Sequence, residues 1–563
     1  MKDVKKNLKV KAETLKVSIP VAVVFYAVAA WLCYMLMPQW HYLNPSTYVI
    51  GICLTIPVIF GVLLFVFHED RRYYDLSDTA IRAFGWTAGI TAVLLLIILV
   101  ISSFGWNLYK STENYAKVSS ETEIMEESVF PELIKGDDTS SLPLFGEAEA
   151  QKRAEAELAK KSGLGSQTSI TGEFMSQEIN GEFVYVGQSS PNSVFKRHAE
   201  NQYYLIDRNT GDSKSFSGAE FGVGHSRYFS ENIRRYMIKT YDGEGFLGDI
   251  HLEITDDGKP FYVASVLTRN RFGGLYLVKG IVTCDPVTKE IDVYDMKSIP
   301  EWVDRVYPEP VLISYMEIWG KYKHGFKNAH FAKKDVLEPS TELNNEGYVE
   351  SAYEVIFING EPCIYTGMQT SNASSDSDAN GILIANLKTG ELTYYNVSGV
   401  SESHAQSVAQ GLCSDKGYAA SFPIPLKING IEALFSLMRD ENGNITGYAL
   451  VSYEDYTKAA YATTLSECIK NFLGNVGYKE ESTLSNKELK TIKGVVDEIA
   501  TEVIDGRTTY YFKVKGEIFT CNSKANIDVV FTEEGDMVIL TYAPSKGNVH
   551  AIKNFELGEI PVK

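Results

Sequence analysis

Apolar residues form three uninterrupted segments near the N-terminus, and the pattern after residue 106 is different. The segments are Val17–Met37, Tyr48–Phe67 and Phe84–Trp106, and none of them contains Asp, Glu, Lys or Arg. Each has about 20 residues, enough for a helix rising 1.5 Å per residue to cross a hydrocarbon core of about 30 Å. The first segment ends at Pro38 without the small-residue cleavage site of a signal peptide. The pattern therefore predicts a retained three-helix anchor in a lipid bilayer, over residues 1–110.

Positive charge in the short connections predicts the orientation of this anchor. Six lysines precede the first segment and three arginines lie between the second and third, whereas residues 38–47 contain neither Lys nor Arg. Because positively charged connections remain in the cytoplasm, we expect a cytoplasmic N-terminus and a cytoplasmic second connection. The sequence thus predicts a multi-pass protein of the cell membrane, with an extracytoplasmic body that begins at about Asn107.

From about residue 166 the pattern changes to short strands rich in Tyr, Val, Ile and Phe, separated by Gly, Asn and Asp turns. A unit of strands joined by tight turns occurs four times, over residues 179–216, 256–294, 358–395 and 428–456. Three copies open with Ile-Asn-Gly and the second with Asp-Asp-Gly, and such dipeptides suit turns with positive φ. Helical stretches follow two copies, at Ser401–Leu412 and Thr464–Leu473. We therefore predict an α+β fold of tandem antiparallel sheets.

The region between the anchor and the repeats is polar and acidic. It covers residues 111–165, and its helix-forming stretch Glu147–Lys161 has only a weak apolar stripe. We therefore predict a solvated stalk with a short helix there, or the edge of the first soluble domain. Two pairs of repeats are expected to follow it, over 166–340 and 341–480.

The C-terminal region, 485–563, has short strands around an Asp505–Gly506 turn and predicts a small β-barrel similar to an OB fold. A barrel that binds nucleic acid needs a basic face, and this region has 10 Lys and Arg against 12 Asp and Glu. The whole chain has a formal charge of −19, and because residues 1–110 carry +4, the rest carries −23. So acidic a body is expected to repel nucleic acid.

Cysteine spacing predicts free thiols rather than disulfides. The five cysteines of the body are an odd number and lie far apart, and no CxxC pair occurs, which argues against a disulfide framework and a structural zinc site. They are Cys284, Cys363, Cys413, Cys468 and Cys521. We expect them to be buried and unpaired.

One loop of the body has the spacing of a calcium ligand set. Asp376, Asp378 and Asn380 stand at alternate positions before Gly381, as oxygen ligands do in the first half of an EF-hand loop. The twelfth position, which should be Glu, is Leu387. A solvated hairpin tip has the same composition, so we predict a plain loop without a cofactor here, with a calcium site as the alternative.

Aromatic residues are dense between residues 299 and 328. Trp302, Trp319, Tyr322 and His324 are the candidates for a ligand site in this region. Packing of the rings into a core explains the same pattern. If the rings line a surface groove instead, a peptide or glycan is the expected ligand.

The repeats resemble PepSY-like domains in their strands and in the Asp-x-x-Thr-Gly turn that begins at Asp207. The chain is also similar to an uncharacterised family of bacterial membrane proteins that has phage-like members. The resemblance covers roughly residues 140–475 and rests on the segments SLPLFGEAEAQKRAEAELAKKSGLGSQ, EFMSQEINGEFVYVG, FGVGHSRYFSENIRRYMIKTYDG and IPEWVDRVYPEPVLISYMEIWGKYKHGFKN. It implies β-rich repeats, and PepSY domains elsewhere are linked to protease inhibition or localisation.

The sequence favours binding over catalysis. GxSxG, Walker and dinucleotide-binding motifs do not occur in a strand–turn–helix context. We expect a non-enzymatic surface or envelope protein that acts as a scaffold or binding module, through a protein partner or by self-assembly. The alternative, suggested by the PepSY resemblance, is a regulator of an extracytoplasmic protease or cell-wall enzyme.

Overall fold

The chain divides into two compact units in the computed structural model, Met1–Val476 and Gly477–Lys563. The described residues are 2–70, 76–110, 122–125, 130, 142–161, 163–196, 201–225, 227–269, 272, 274–343, 349–370, 378–477, 490–504, 507–522, 527–542 and 549–557. The first unit contains the N-terminal helices and the repeated strands, and the second contains the C-terminal strands.

Long helices at the N-terminus form the anchor. They are α1 (Lys2–Leu36), α2 (Pro45–Asp70) and α3 (Leu76–Lys110). In the described part of the chain, three stretches are long and apolar enough to cross a membrane: Thr14–Leu36, Pro45–Phe67 and Asp78–Ser102. These stretches overlap the three predicted segments, so the prediction of three apolar helices is confirmed. α2 packs against both of the other helices, and Leu64 and Ala83 are buried in this packing.

After a short strand, β1 (Thr122–Met125), the first unit continues with antiparallel sheets, each preceded in the chain by a helix. The first repeat consists of α4 (Glu147–Lys160), β2 (Thr168–Ile179), β3 (Glu182–Pro191), β4 (Gln202–Asp207) and β5 (Ser213–Ser217). The second consists of α5 (Ile233–Thr240), β6 (Phe246–Ile254), β7 (Pro260–Arg269), β8 (Tyr276–Cys284) and β9 (Ile291–Asp295). Each of these two sheets has its strands in sequence order.

The third and fourth repeats are larger and include short accessory strands. The third consists of α6 (Glu309–Tyr322), β10 (Leu337–Pro339), β11 (Thr341–Leu343), β12 (Val349–Ser351), β13 (Glu354–Ile358), β14 (Glu361–Thr370), β15 (Asp378–Ala379), β16 (Gly381–Asn386), β17 (Leu392–Tyr395) and β18 (Gly399–Val400). The fourth consists of α7 (Glu402–Gly411), β19 (Ala419–Ala420), β20 (Ile424–Ile428), β21 (Ile431–Arg439), β22 (Ile445–Ser452), β23 (Ala459–Ala462) and α8 (Leu465–Asn475). β1 pairs in parallel with β17, so the chain that follows the anchor joins the third sheet.

Asn-Gly turns connect the first long strands of three repeats. Asn180, Asn359 and Asn429 have φ angles of 54°, 54° and 49°, and the glycines that follow them have φ angles of 84°, 88° and 82°. Positive φ at both central residues gives a type I′ turn, whose twist matches that of the flanking strands. The prediction of positive φ is therefore confirmed for these turns. In the second repeat, Gly258 takes a positive φ of 82°.

A second turn also recurs in the first three repeats. It connects β4 to β5, β8 to β9 and β16 to β17. The side-chain Oδ1 atoms of Asp207, Asp285 and Asn386 each accept the N–H groups two and three positions later. The turn then requires a residue with positive φ, and the residues at this place are Gly211, Lys289 and Gly390. The second copy thus keeps the turn without the Thr-Gly sequence, because Lys289 adopts the left-handed conformation.

The helix of the predicted stalk region is a packed element rather than a solvated spacer. Ala150, Ala154 and Leu158 of α4 are buried together with Tyr204 of the first sheet. The three residues are four positions apart and lie on one helix face. Small alanine side chains let this face approach the sheet closely. The other side of α4 meets the fourth repeat, where Lys152 Nζ donates to the Asn442 carbonyl oxygen at 2.5 Å.

The cysteines of the body are buried, as predicted, and form no disulfide in the described part of the chain. Burial raises the pKa of the Cys284, Cys363 and Cys468 thiols to about 12. These groups are therefore neutral hydrophobic side chains of the cores at physiological pH.

The second unit is a closed barrel of short strands. They are β24 (Lys490–Ile504), β25 (Arg507–Val514), β26 (Glu517–Asn522), β27 (Met537–Tyr542) and β28 (Val549–Leu557). The strand order is β24-β25-β26-β28-β27, β27 pairs back to β24, and β26 pairs with β28 in parallel. Phe512, Phe519 and Leu540 fill the interior. The predicted Asp505–Gly506 turn lies outside the described residues.

Candidate functional site

The segment between β9 and α6, residues 303–307 and here called the junction segment, joins the first two sheets. The N–H groups of Asp304 and Arg305 donate to the two carboxylate oxygens of Glu253 on β6, at 3.0 and 3.2 Å. The Asp304 carboxylate in turn accepts the N–H of Glu178 on β2, at 2.8 Å. One short stretch of chain is thus hydrogen-bonded to a backbone N–H of the first repeat and to a side chain of the second.

The junction segment also contacts the third sheet. The N–H groups of Val306 and Tyr307 both donate to the Leu387 carbonyl oxygen, at 3.0 and 2.8 Å. The Tyr307 ring covers Gly390 so closely that no Cβ fits there. Ser265 on β7 donates its hydroxyl to the Val306 carbonyl oxygen at 2.7 Å. The polar groups of the junction segment therefore hold three sheets together.

Two buried carboxyl groups determine the electrostatics of the junction segment. Glu253 and Asp304 are both buried, and His251 Nε2 lies 2.8 Å from Glu253 Oε1. Burial, followed by the charge of Glu253, raises the pKa of Asp304 to about 8. At pH 7 the pair therefore retains a proton on Asp304.

We expect Asp304 to make the protein less stable as the pH rises from about 4 to about 8. Its pKa is about 8 in the fold against an ordinary value of 3.8, so in this window the folded protein binds more protons than the unfolded chain. Asp304→Asn removes this titration. The variant should match the wild type at pH 4.5 and be the more stable of the two at pH 8.5, as measured by thermal unfolding in detergent.

The control for this experiment is Asp249→Asn, which alters an exposed carboxylate of β6, the strand that contains Glu253. This control should keep the pH dependence of the wild type. If the stability of Asp304→Asn depended on pH in the same way as that of the wild type, the raised pKa of Asp304 would be contradicted.

A second buried carboxyl group joins the third sheet to α7. Glu402, in the first turn of α7, is fully buried and accepts the hydroxyl groups of Ser340, at 2.7 Å, and of Tyr365 on β14. Gln369 Nε2 donates to Ser340 Oγ at 3.0 Å. Gly367 makes room for the carboxyl group, since a Cβ there would collide with it. Burial raises the pKa of Glu402, and its oxygens are used in holding two repeats together.

The connection between α1 and α2 docks on the second repeat. The Gln39 side-chain amide pairs with Leu247 on the edge strand β6, where it donates to the carbonyl oxygen and accepts the N–H, both at 2.7 Å. The amide thus makes the two hydrogen bonds that a neighbouring strand would make. At the start of α2, the Tyr48 ring lies 5.2 Å from the Phe272 ring of the β7–β8 loop.

Arg235 on α5 caps the C-terminal end of α1. Its Nη2 donates to the Tyr34 carbonyl oxygen at 2.9 Å, its Nη1 donates to the Tyr34 hydroxyl, and its guanidinium carbon lies 3.7 Å from the ring centroid. The residue four positions after Tyr34 is Pro38, which has no N–H for that carbonyl oxygen. A cation at this helix end is also favoured by the helix dipole. Arg235 therefore ties the body to the membrane helix.

The aromatic residues of α6 that are candidates for a ligand site lie in the core. Trp319 is 2% exposed, and its ring centroid lies 4.5 Å from that of Tyr394 on β17. Tyr322 is buried in the same cluster, which fills the space between the second and third sheets. Their rings pack at the centre of the first unit.

The other two candidates for this site lie elsewhere. Trp302 belongs to a separate cluster and has its ring 5.2 Å from that of Phe261. The side chain of His324 is 50% exposed, and its Nε2 lies 3.9 Å from an Asp335 carboxylate oxygen. The four residues therefore do not form one groove.

A pocket of about 260 Å³ lies beside α6. Glu317, Lys321 and Tyr322 of α6 line one side, and Glu338 and Thr341 line the other. Sites for small-molecule ligands usually have volumes of about 300–1,000 Å³ and mostly apolar walls. This pocket is smaller and carries charged groups, so it suits a single polar side chain of a partner.

The predicted calcium ligands fall partly in the described part of the chain. Asp376 lies outside the described residues. Asp378 is in β15, and Asn380 accepts the Thr370 hydroxyl at 2.8 Å. Among the residues that the structure describes, no group of three or more His, Cys, Asp and Glu is placed to hold a metal ion.

The polar contacts between repeats could not be found from sequence reasoning. Glu402 and Glu253 stand in no motif, and Arg235 is 201 positions from its partner Tyr34. A partial signal existed for Arg235 and for the junction segment, because both lie within segments that carry the resemblance.

Comparison with known proteins gives no family for this chain. No known family matches it, and no curated protein matches it. A thermostable family-43 glycoside hydrolase matches at 9% identity, covering 71% of this chain and 97% of that one, with a TM-score of 0.17. The beta-propeller domain of the Trilobed protease from Pyrococcus furiosus matches at 7% identity, over 69% and 95% of the two chains, with a TM-score of 0.16.

A third solved structure, an ACO/RPE65 chimera, is 12% identical over 51% of this chain, with a TM-score of 0.14. This chain spans about half of the length of that protein, 49%. At such TM-scores these likenesses support no argument about activity.

Proposed function

We propose that this chain is a non-enzymatic membrane protein that presents a rigid body at the membrane surface, as a scaffold or binding module. The observation that carries the proposal is the direct docking of the second repeat on the end of the anchor through Gln39 and Arg235. A binding module fixed in this way presents its surface at a constant height and angle. The buried carboxyl groups of Glu253, Asp304 and Glu402 are used between repeats, which suits a structural role.

The body is extracytoplasmic in this proposal. The contacts of Gln39 and Tyr34 require the α1–α2 connection and the second repeat to share one side of the membrane. The connection 38–47 has no Lys or Arg, so the positive-inside rule assigns that side to the exterior. The proposal needs both observations, because the contacts define which parts share a side and the charge rule defines which side that is.

The repeats are PepSY-like and the barrel is OB-like in this proposal. Each repeat has a helix followed by an antiparallel sheet, and β-rich repeats are what the resemblance implies. For the second unit, a five-stranded barrel with the order 1-2-3-5-4 and a parallel pair between strands 3 and 5 supports the OB-like assignment.

The surface that we propose for protein contacts lies just after α6. Phe331 is 80% exposed, and Phe326 next to it is partly exposed, with its ring 4.4 Å from the His330 ring. Exposed aromatic rings are enriched in the centres of protein interfaces. The small polar pocket on α6 belongs to the same repeat and could receive one side chain of the partner.

We expect Phe331→Ser to weaken assembly of the protein with itself or with a partner. The experiment purifies the full chain in mild detergent and measures its mass by light scattering, with identification of co-eluting proteins. Phe195→Ser is the matched control, because Phe195 is 95% exposed on the first repeat. The wild type and the control should run as assemblies, and Phe331→Ser should shift towards the single chain.

Other outcomes of the same experiment would change the proposal. A single-chain particle for all three proteins, without a co-eluting partner, would contradict it. A co-eluting hydrolase whose activity depends on this chain would favour the alternative role, that of a regulator of an extracytoplasmic protease or cell-wall enzyme.

A further inference from the structure

The helix α5 contacts the end of an N-terminal stretch that is long and apolar enough to cross a membrane. Tyr34, which Arg235 contacts, is two residues from the end of the membrane-crossing stretch Thr14–Leu36. Aromatic residues at the ends of such stretches sit in the headgroup layer. The Tyr48–Phe272 contact at the start of the second stretch places the β7–β8 loop at the same level.

One face of α5 is directed towards this layer. Ile233 and Met237 are buried against the second sheet. Lys239 is one turn after Arg235, so the two side chains share the helix face that meets α1, and Lys239 is exposed. Arg234 is adjacent to this face and remains partly exposed, with its nearest carboxylate, that of Asp249, 3.9 Å away.

An aromatic ring stands beside these cations. The carbonyl oxygen of Phe229 accepts a hydrogen bond from Arg235 Nη1 at 3.2 Å, which places Phe229 next to the end of α1. Its φ angle is 59°, a conformation that a bulky residue rarely adopts, and its side chain is 50% exposed. This strained backbone conformation thus occurs at a half-exposed phenyl ring beside the end of α1.

The local charge is opposite to that of the body. Residues 227–241 contain four Lys or Arg and one Glu, whereas the chain after residue 110 carries −23. An acidic body is repelled by an anionic membrane, so a basic patch on its membrane-facing helix compensates for this repulsion. Basic residues beside an aromatic ring are the combination that binds an interface with anionic lipids.

We propose that Arg234, Lys239 and Phe229 form a binding surface for the phosphate-bearing headgroups of anionic lipids. The occupant is the leaflet at the end of α1, since the patch is held at that level by Arg235. The cations contact lipid phosphate, and the Phe229 ring enters the boundary between headgroups and acyl chains. The inference does not depend on which face of the membrane the body occupies or on a protein partner, so its failure would leave the proposed function untouched.

The test is hydrogen exchange of the α5 amides in the full chain, reconstituted in nanodiscs of phosphatidylcholine alone or mixed with phosphatidylglycerol. Each basic residue near an anionic surface raises the equilibrium constant for binding to that surface about fivefold. We expect exchange of Ile233–Thr240 to be about fivefold slower or more in the anionic discs. The double variant Arg234→Gln/Lys239→Gln should lose this difference, with unchanged exchange of the buried strand β7 showing that it is folded.

The matched control is Lys259→Gln, in the β6–β7 turn. Lys259 is exposed on the same sheet but lies at the far end of β6 from Leu247, about 25 Å away along the strands. The control variant should still show slower exchange of α5 in the anionic discs. The proposal would be overturned if the wild type exchanged equally in both kinds of disc, or if the control lost this difference as the double variant does.

A soluble phosphate compound carries the same chemical group as the lipid headgroup and is the alternative ligand. Glycerol 3-phosphate added to phosphatidylcholine discs should leave the exchange of α5 unchanged. If it slows exchange as much as the anionic lipid does, the patch is a site for a soluble phosphate and the lipid assignment is wrong.

Discussion

Replacing Trp319 by alanine is expected to lower the free energy of unfolding of the first unit by about 3–5 kcal/mol. The ring is 2% exposed and packs on Tyr394 between the second and third sheets. Its loss would remove a large buried apolar surface and leave a cavity that the two rigid sheets cannot close. Denaturant unfolding of the detergent-solubilised protein, followed by circular dichroism, measures this change.

The control is His324→Ala, two residues beyond the end of the helix that carries Trp319. Its side chain is 50% exposed, so the free energy of unfolding should change by less than about 0.5 kcal/mol. A stable protein with Trp319→Ala that has lost a ligand would contradict the core assignment and restore the ligand site suggested by the aromatic pattern.

Replacing Glu402 by alanine is expected to cost about 3 kcal/mol of stability. The substitution removes the acceptor of the Ser340 and Tyr365 hydroxyl groups in a fully buried position. Each of the two hydroxyl groups then lacks an acceptor, and a cavity forms between the third sheet and α7. The same unfolding experiment measures the loss, and Glu402→Gln should recover about half of it, because an amide oxygen still accepts a hydrogen bond.

Glu467→Ala is the matched control for Glu402. Glu467 is also in the first turn of a helix, α8, but it is exposed. Its removal should cost only the interaction of a surface carboxylate with the helix dipole, about 0.5 kcal/mol. Equal losses for the two glutamates would mean that the hydroxyl contacts contribute nothing.

The features that could be predicted from the sequence are those with a local physical cause. Uninterrupted apolar stretches give membrane-crossing helices because no polar group can be left in lipid. Asn180-Gly181 and its two counterparts give type I′ turns because these residues tolerate positive φ. The scattered cysteines form no disulfides in the described part of the chain, because the fold does not bring two of them together there.

The features that could not be predicted depend on long-range packing. α4 was expected to be solvated because its apolar face consists mainly of Ala150 and Ala154, which give a weak signal until a sheet is present to cover them. The aromatic pattern of α6 could not distinguish a core from a groove, since both need large apolar rings. The pairing of Arg235 with Tyr34 follows from the missing N–H of Pro38, which becomes meaningful only once α5 is placed at that helix end.

The central claim is that the body and the α1–α2 connection share the outer side of the membrane. Labelling of single introduced cysteines with a membrane-impermeant thiol reagent, on intact cells and after permeabilisation, tests it directly. Tyr42→Cys, at an exposed position of the α1–α2 connection, and Lys259→Cys are predicted to react on intact cells. Asp70→Cys, at the end of α2, should react only after permeabilisation. Labelling of Asp70→Cys on intact cells, with protection of Lys259→Cys, would contradict the account.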